Sequence, residues 1–141
     1  MNLDRLKNKV GYLAGPMTGH PDSNYAEFAL TATLLRGSGL SILNPAEHYG
    51  GDASLPREMY LRIDIHAVLS SDYVVLLPDW QQSPGANLEV DVALGMGLPL
   101  YEVVLYPNGL DFTPTWELKR IPAAFAQRPP REEFDPTKEC L

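Results

Sequence analysis

The stretch YVVLLPDWQQSPGANLEVDVALGMG, residues 73–97, decides the fold. Tyr73 to Leu77 is an almost uninterrupted apolar run, the pattern of a strand buried on both faces of a sheet. Pro78 ends it. Ser83 then has the side chain to cap a helix, Pro84 suits the first helical turn, and Gly95 and Gly97 close the helix. A buried strand, a loop and a helix in that order begin a βαβ unit.

The same alternation runs outward in both directions. Val10 to Ala14 reads as a short buried strand stopped by Gly15-Pro16. Asn24 to Leu35 has helical spacing, with Phe28, Thr31, Leu34 and Leu35 on one side, Asn24 and Glu27 as a start signal, and Gly37 and Gly39 as a stop. Leu40 to Leu43 is a second strand ended by Asn44-Pro45. His48 to Leu55 is a loop, after which Pro56 opens a helix continuing from Arg57 to Leu69. Leu100 to Leu105 is a further strand. Beyond about residue 107 prolines are frequent, so an irregular tail is expected, with a short strand or helix near Trp116. The order β-α-β-α-β-α-β predicts one α/β domain over residues 1–141. It is an open parallel sheet of four or five strands, flavodoxin- or Rossmann-like, with Tyr73 to Leu77 central and helices on both faces. In such sheets ligands bind beyond the carboxyl ends of the strands. That rule selects the loops Gly15 to His20, Asn44 to Gly51 and Pro78 to Gly85.

Composition narrows the partners. The 141 residues are 45% hydrophobic and 21% charged, enough apolar material for a core, and the net charge is −7. A negative surface argues against long nucleic acid, whose phosphates are held by surplus Lys and Arg, but not against a small nucleoside or nucleotide. The lone Cys140 has no partner for an internal disulfide, there is no apolar leader behind a basic start, and no run approaches a membrane span. A cytoplasmic protein without a membrane contact is the expectation. His20, His48 and His66 are scattered without ligand spacing, so neither a metal nor another cofactor is expected.

Several residues in and around these loops could carry chemistry. Gly15 and Gly19 let backbone approach a ligand closely, and Thr18 lies between them; the loop lacks the Lys-Ser/Thr of a P-loop and the glycine spacing of a dinucleotide fingerprint. Asp79 and Trp80 stand at the carboxyl end of the central strand. Trp80 either stacks on a flat ligand such as a nucleobase or packs on the sheet. Gly85 removes bulk near Glu89, a carboxylate on a mostly apolar helix, where the helix dipole favours the ionised form. Asp64, between Ile63 and Ile65, either faces the same cleft or pairs with Arg57 or Arg62. Asp72 reads as a turn residue. Tyr12 reads as core with a hydroxyl able to reach a bound group.

Taken together, YLAGPMTG at residues 12–19, Asn44-Pro45, the Asp64 to Asp72 spacing and SPGANLE at residues 83–89 resemble the nucleoside 2-deoxyribosyltransferase-like superfamily. The resemblance runs from roughly Lys9 to Leu105 and is nearest to a group of small members often carried by bacteriophages. It implies a homo-oligomeric enzyme, dimeric or higher, that cleaves the bond between base and sugar in a nucleoside or a nucleoside 5′-monophosphate. Glu89 matches the nucleophile, Asp64 the second acid, and Tyr12 the aromatic residue near the nucleophile. Ser83 matches a position that holds phosphate in the superfamily's monophosphate hydrolases. This chain departs from those hydrolases in the first loop, where Pro16, Met17 and Thr18 stand without an Arg. A phosphate would then rest on backbone amides, Thr18, Ser83 and His20. Hydrolysis, deoxyribosyl transfer between bases and a non-catalytic nucleotide-binding module all remain open at this point.

Overall fold

The computed structural model describes residues 2–17, 24–48, 54–106 and 115–123. Its elements are β1 (Val10–Ala14), α1 (Tyr25–Gly37), β2 (Ser41–Leu43), α2 (Arg57–Leu69), β3 (Tyr73–Leu76), α3 (Pro84–Gly95), β4 (Leu100–Tyr106) and β5 (Thr115–Ile121). Short 3₁₀ turns at Pro45–Glu47 and Trp80–Gln82 follow β2 and β3. The sheet has five strands in the order β2-β1-β3-β4-β5, with β3 in the middle. β2, β1, β3 and β4 are mutually parallel, in the register Tyr12 opposite Leu43 and Val74, and Val75 opposite Tyr101.

β5 runs antiparallel to β4, from Leu100 opposite Ile121 to Tyr106 opposite Thr115, where a wholly parallel sheet was expected. Only residues 107–114 lie between the two strands, too few for the crossover of a dozen or more residues that a parallel return requires.

Side chains alternate across the sheet and build two cores. Leu13, Tyr73, Val75 and Leu77 point to one face and pack with Phe28, Ala32 and Leu35 of α1. Tyr12, Ala14, Val74 and Leu76 point to the other and pack with Val68 of α2 and Ala86, Val90 and Ala93 of α3. β3 is fully buried because it is covered on both faces, which is why its sequence shows no polar alternation. Each fully buried Leu or Phe contributes about 1.5–3 kcal/mol, so the central strands hold the carboxyl edge of the sheet as a rigid platform.

Local signals explain how the chain turns there. The Ser83 hydroxyl accepts from the Ala86 N–H at 3.1 Å and Pro84 follows at the first helical position, as the sequence predicts. Asn44 accepts from Ala46 N at 3.0 Å and turns the chain out of β2. Asp72 is a structural turn residue whose Oδ2 accepts from Val10 N at 2.8 Å. Asn24 behaves differently from expectation. It adopts a left-handed conformation, φ 63°, and makes no capping bond; its Nδ2 instead donates to the Pro16 carbonyl at 3.0 Å, tying the start of α1 to the end of β1. Gly15 is required by packing, since a Cβ there would sit 2.7 Å from Leu77 Cβ.

Candidate active site

A cavity of about 470 Å³ opens at the carboxyl ends of the strands. All three loops singled out in the sequence reach it, through Gly15 and Met17, through Pro45, and through Ser83 to Gly85. Tyr25, Phe28, Tyr60 and Leu61 supply apolar and aromatic walls.

Two carboxylates face this space from different helices. Asp64 projects from the middle of α2 and Glu89 from the second turn of α3; they are 9% and 6% exposed. Gly85, one turn before Glu89, borders the same space, where a Cβ would make only ordinary contact, 4.0 Å from Glu89 Oε1. Tyr12 is wholly buried in β1, and its hydroxyl acts on the Glu89 carboxylate from behind the cavity wall.

Burial sets the proton affinity of Glu89. Loss of hydration pushes its pKa from 4.5 up to about 8; the Tyr12 hydroxyl opposes the shift by stabilising the charged form, and the like charge of Asp64 adds to it. The helix dipole, expected to keep this group ionised, does not prevail, because its influence fades beyond the first turn. The Coulombic coupling of Asp64 to Glu89 joins the two acids as one electrostatic unit.

Asp64 faces the cavity on one side and His48 on the other, with Nδ1 of His48 3.6 Å from Oδ1 of Asp64. Sequence reasoning missed His48 because it weighed that residue only as a metal ligand. Its place in the second selected loop, four residues after Asn44, was the available signal. His48 also lines a separate open depression with Ile63 and His66, so it stands between Asp64 and solvent.

Not every expected residue is gathered here. Tyr12, Gly15, Asp64, Ser83, Gly85 and Glu89 converge; Thr18, Gly19 and His20 lie outside the described residues. Asp79 and Trp80 do not line the cavity. Asp79 is exposed with φ 64°, and that left-handed turn sends the following residue inward. Trp80, 5% exposed, is core, packed with Val90 and Ala86, and its indole is unavailable for stacking. The aromatic faces that do border the cavity are Tyr25, Phe28 and Tyr60. Tyr60 is pinned by the Leu55 N–H, which donates to its hydroxyl at 3.1 Å. Arg57, at the start of α2, was considered only as a partner for Asp64, yet it lines the cavity.

Known proteins bear out the architecture. The fold matches a 2-deoxyribosyltransferase of the psychrotolerant bacterium Bacillus psychrosaccharolyticus with a TM-score of 0.55 and 17% identity, over 66% of this chain and 70% of that one. It also matches a 2-deoxyribosyltransferase of Leishmania mexicana with a TM-score of 0.51 and 19% identity, over 76% and 78% of the two chains. At these identities the likeness concerns the fold, which is nucleoside 2-deoxyribosyltransferase-like. No curated protein matches the sequence. The model of a domain of unknown function, DUF4406, matches residues 9–102, and the chain belongs to that family.

Proposed function

We propose that the protein cleaves the N-glycosidic bond of a 2′-deoxynucleoside or its 5′-monophosphate through a glycosyl-enzyme intermediate on Glu89. The observation that carries this reading is the pair of buried carboxylates, Asp64 and Glu89, facing one cavity from separate helices, with the Tyr12 hydroxyl on Glu89. Buried acids without such a task are costly. The fold neighbours named as 2-deoxyribosyltransferases support the same chemistry.

The chemistry follows from the groups present. An ionised Glu89 oxygen forms a bond to the anomeric carbon as the bond from that carbon to the base nitrogen breaks. The electron pair leaves with the base, which takes a proton from Asp64 in its acid form. Water then adds to the anomeric carbon and displaces Glu89, and its proton returns to the Asp64 carboxylate. The products are free base and free sugar or sugar phosphate. Cation character on the sugar in the transition state strengthens its attraction to the carboxylates. The same charge favours ionisation of Glu89 when substrate is present.

In deoxyribosyl transfer, a nitrogen of a second base takes the place of water. The aromatic walls at Tyr25, Phe28 and Tyr60 suit a base held against the intermediate. We also infer that the chain works as a homo-oligomer.

The test is a screen of nucleosides and 5′-monophosphates, ribo and deoxy, for released base by chromatography, with and without an added acceptor base. Glu89→Gln keeps the shape of the side chain and removes its charge. It should slow base release by about a thousandfold or more, the scale of several kcal/mol of barrier. Wild-type turnover in Glu89→Gln on a confirmed substrate excludes this mechanism and leaves a nucleotide-binding module as the reading.

A further inference from the structure

The cavity is electrostatically divided. Asp64 and Glu89 are its acids, with the Tyr12 hydroxyl behind the wall. Among the described residues lining it, Arg57 is the one cation, and it forms no ion pair with a described carboxylate. The groups acting on Glu89 are Tyr12 and Asp64, and Arg57 is not among them. The guanidinium is therefore not engaged with the Glu89 carboxylate. In a chain of net charge −7, an exposed arginine on a cavity wall without an acidic partner is an arrangement that binding of an anion would explain.

Two further features of the cavity wall favour the same kind of ligand. Pro56 offers no side-chain cap to α2; the Met59 N–H donates to the Pro56 carbonyl, which leaves the Arg57 and Glu58 N–H groups of the first turn without a capping side chain from Pro56. Ser83, across the cavity, accepts from Ala86 N, which leaves its hydroxyl proton to be donated elsewhere. The first loop, by contrast, brings Met17 to the wall and has no arginine between Gly15 and Gly19.

We propose that Arg57 is the specificity-determining residue that binds the 5′-phosphate of the substrate, with Ser83 as a second donor, and so selects nucleoside 5′-monophosphates over free nucleosides. The inference rests on the glycosidic reading above for where the sugar lies. The anomeric carbon sits at the acid pair and the phosphate, at the opposite side of the sugar, reaches the cation. A guanidinium suits this task because its planar donors meet two phosphate oxygens at once.

The experiment uses the full chain carrying Glu89→Gln, which binds without turnover. It is titrated calorimetrically with the four common 2′-deoxynucleoside 5′-monophosphates and the matching nucleosides. At least one monophosphate should bind about tenfold or more tighter than its nucleoside, the size of one charge-assisted contact. Adding Arg57→Ala should reduce that ratio to near one, while Arg57→Lys retains part of it. Inorganic phosphate should compete with the monophosphate and lose this ability in Arg57→Ala. Arg57 is exposed, so its replacement should leave the melting temperature unchanged and the comparison interpretable.

A ratio unaffected by Arg57→Ala, equal binding of both ligand classes, or no binding of any monophosphate overturns the proposal. Base release by the wild-type chain from nucleosides without preference for monophosphates overturns the Arg57 assignment and leaves the glycosidic reading standing. Absence of base release from every substrate overturns the glycosidic reading, and the titrations then still decide whether Arg57 holds a phosphate.

Discussion

Glu89 at a pKa of about 8 is mostly protonated in the empty cavity at neutral pH, although the proposed chemistry needs its anion. The value of kcat/KM reports ionisations of the free protein. For a substrate whose base leaves without a proton, so that only Glu89 limits, it should therefore rise with pH through about 8, and a profile flat across that range would contradict the nucleophile assignment. Because the like charge of Asp64 raises the Glu89 pKa, Asp64→Asn should move this rise to lower pH while lowering its plateau. The loss should be smaller for substrates whose base leaves easily, since such a base needs less protonation. Stability carries the same signature. The unfolded carboxyl titrates near 4.5 and the folded one near 8, so between these values only the folded state keeps the proton. The stability linked to this group is full below 4.5 and is lost as pH rises to about 8. Each pKa unit of difference corresponds to about 1.4 kcal/mol. Glu89→Gln, which never ionises, should then be more stable than wild type, with a gap that widens across this window to a few kcal/mol and stays level above it. Denaturant titrations of both proteins at several pH values check this; a gap independent of pH would mean that burial does not penalise the charge.

At the scale of elements, the β3-loop-α3 segment was the most legible because several independent signals agree there. A strand covered on both faces must be apolar throughout, Ser83 and Pro84 start a helix by local chemistry, and that helix carries Glu89 into the cleft. Trp80 was not legible. Its sequence position after β3 is the same whether the ring turns out or in, and the decision lies in the backbone at Asp79, whose left-handed conformation no neighbouring residue type announces. Arg57 was read only as a partner for Asp64 for a similar reason: half a helical turn separates a solvent-facing residue from one on the cavity wall, and the loop before it hides the phase. β5 is an edge strand with only Leu118 buried, so its apolar pattern is too weak to read through the surrounding prolines. The placement of Trp80 gives a direct check. Trp80→Ala should cost about 3–5 kcal/mol of stability by leaving a large hole between α3 and the sheet. Trp80→Phe fills most of that space and removes an indole N–H that has no partner among the described residues. It should leave KM unchanged, and a marked rise in KM with stability intact would return Trp80 to the ligand.

For the whole molecule, the cavity lies where the parallel portion of the sheet ends, and the antiparallel β5 extends the opposite edge without adding a wall to it. The charged residues Glu117, Lys119 and Arg120 on that outer strand oppose further edge-to-edge pairing. No helix among the described residues is long and apolar enough to cross a membrane. Met59 and Leu69 of α2, Leu88 of α3 and Met96 directly after it are each at least 40% exposed. These two helices also carry Asp64 and Glu89, so a second copy covering them would stabilise the elements that hold the acids. Sedimentation velocity at micromolar concentration should accordingly give a species of at least twice the chain mass. Leu88→Lys should shift it to monomer without unfolding, because the side chain contributes little to the core of its own chain and a charge in an apolar interface is strongly unfavourable. If activity falls with dissociation while the circular dichroism spectrum and the melt of the monomer persist, the partner supports the site. A wild-type chain that sediments only as monomer excludes this assembly.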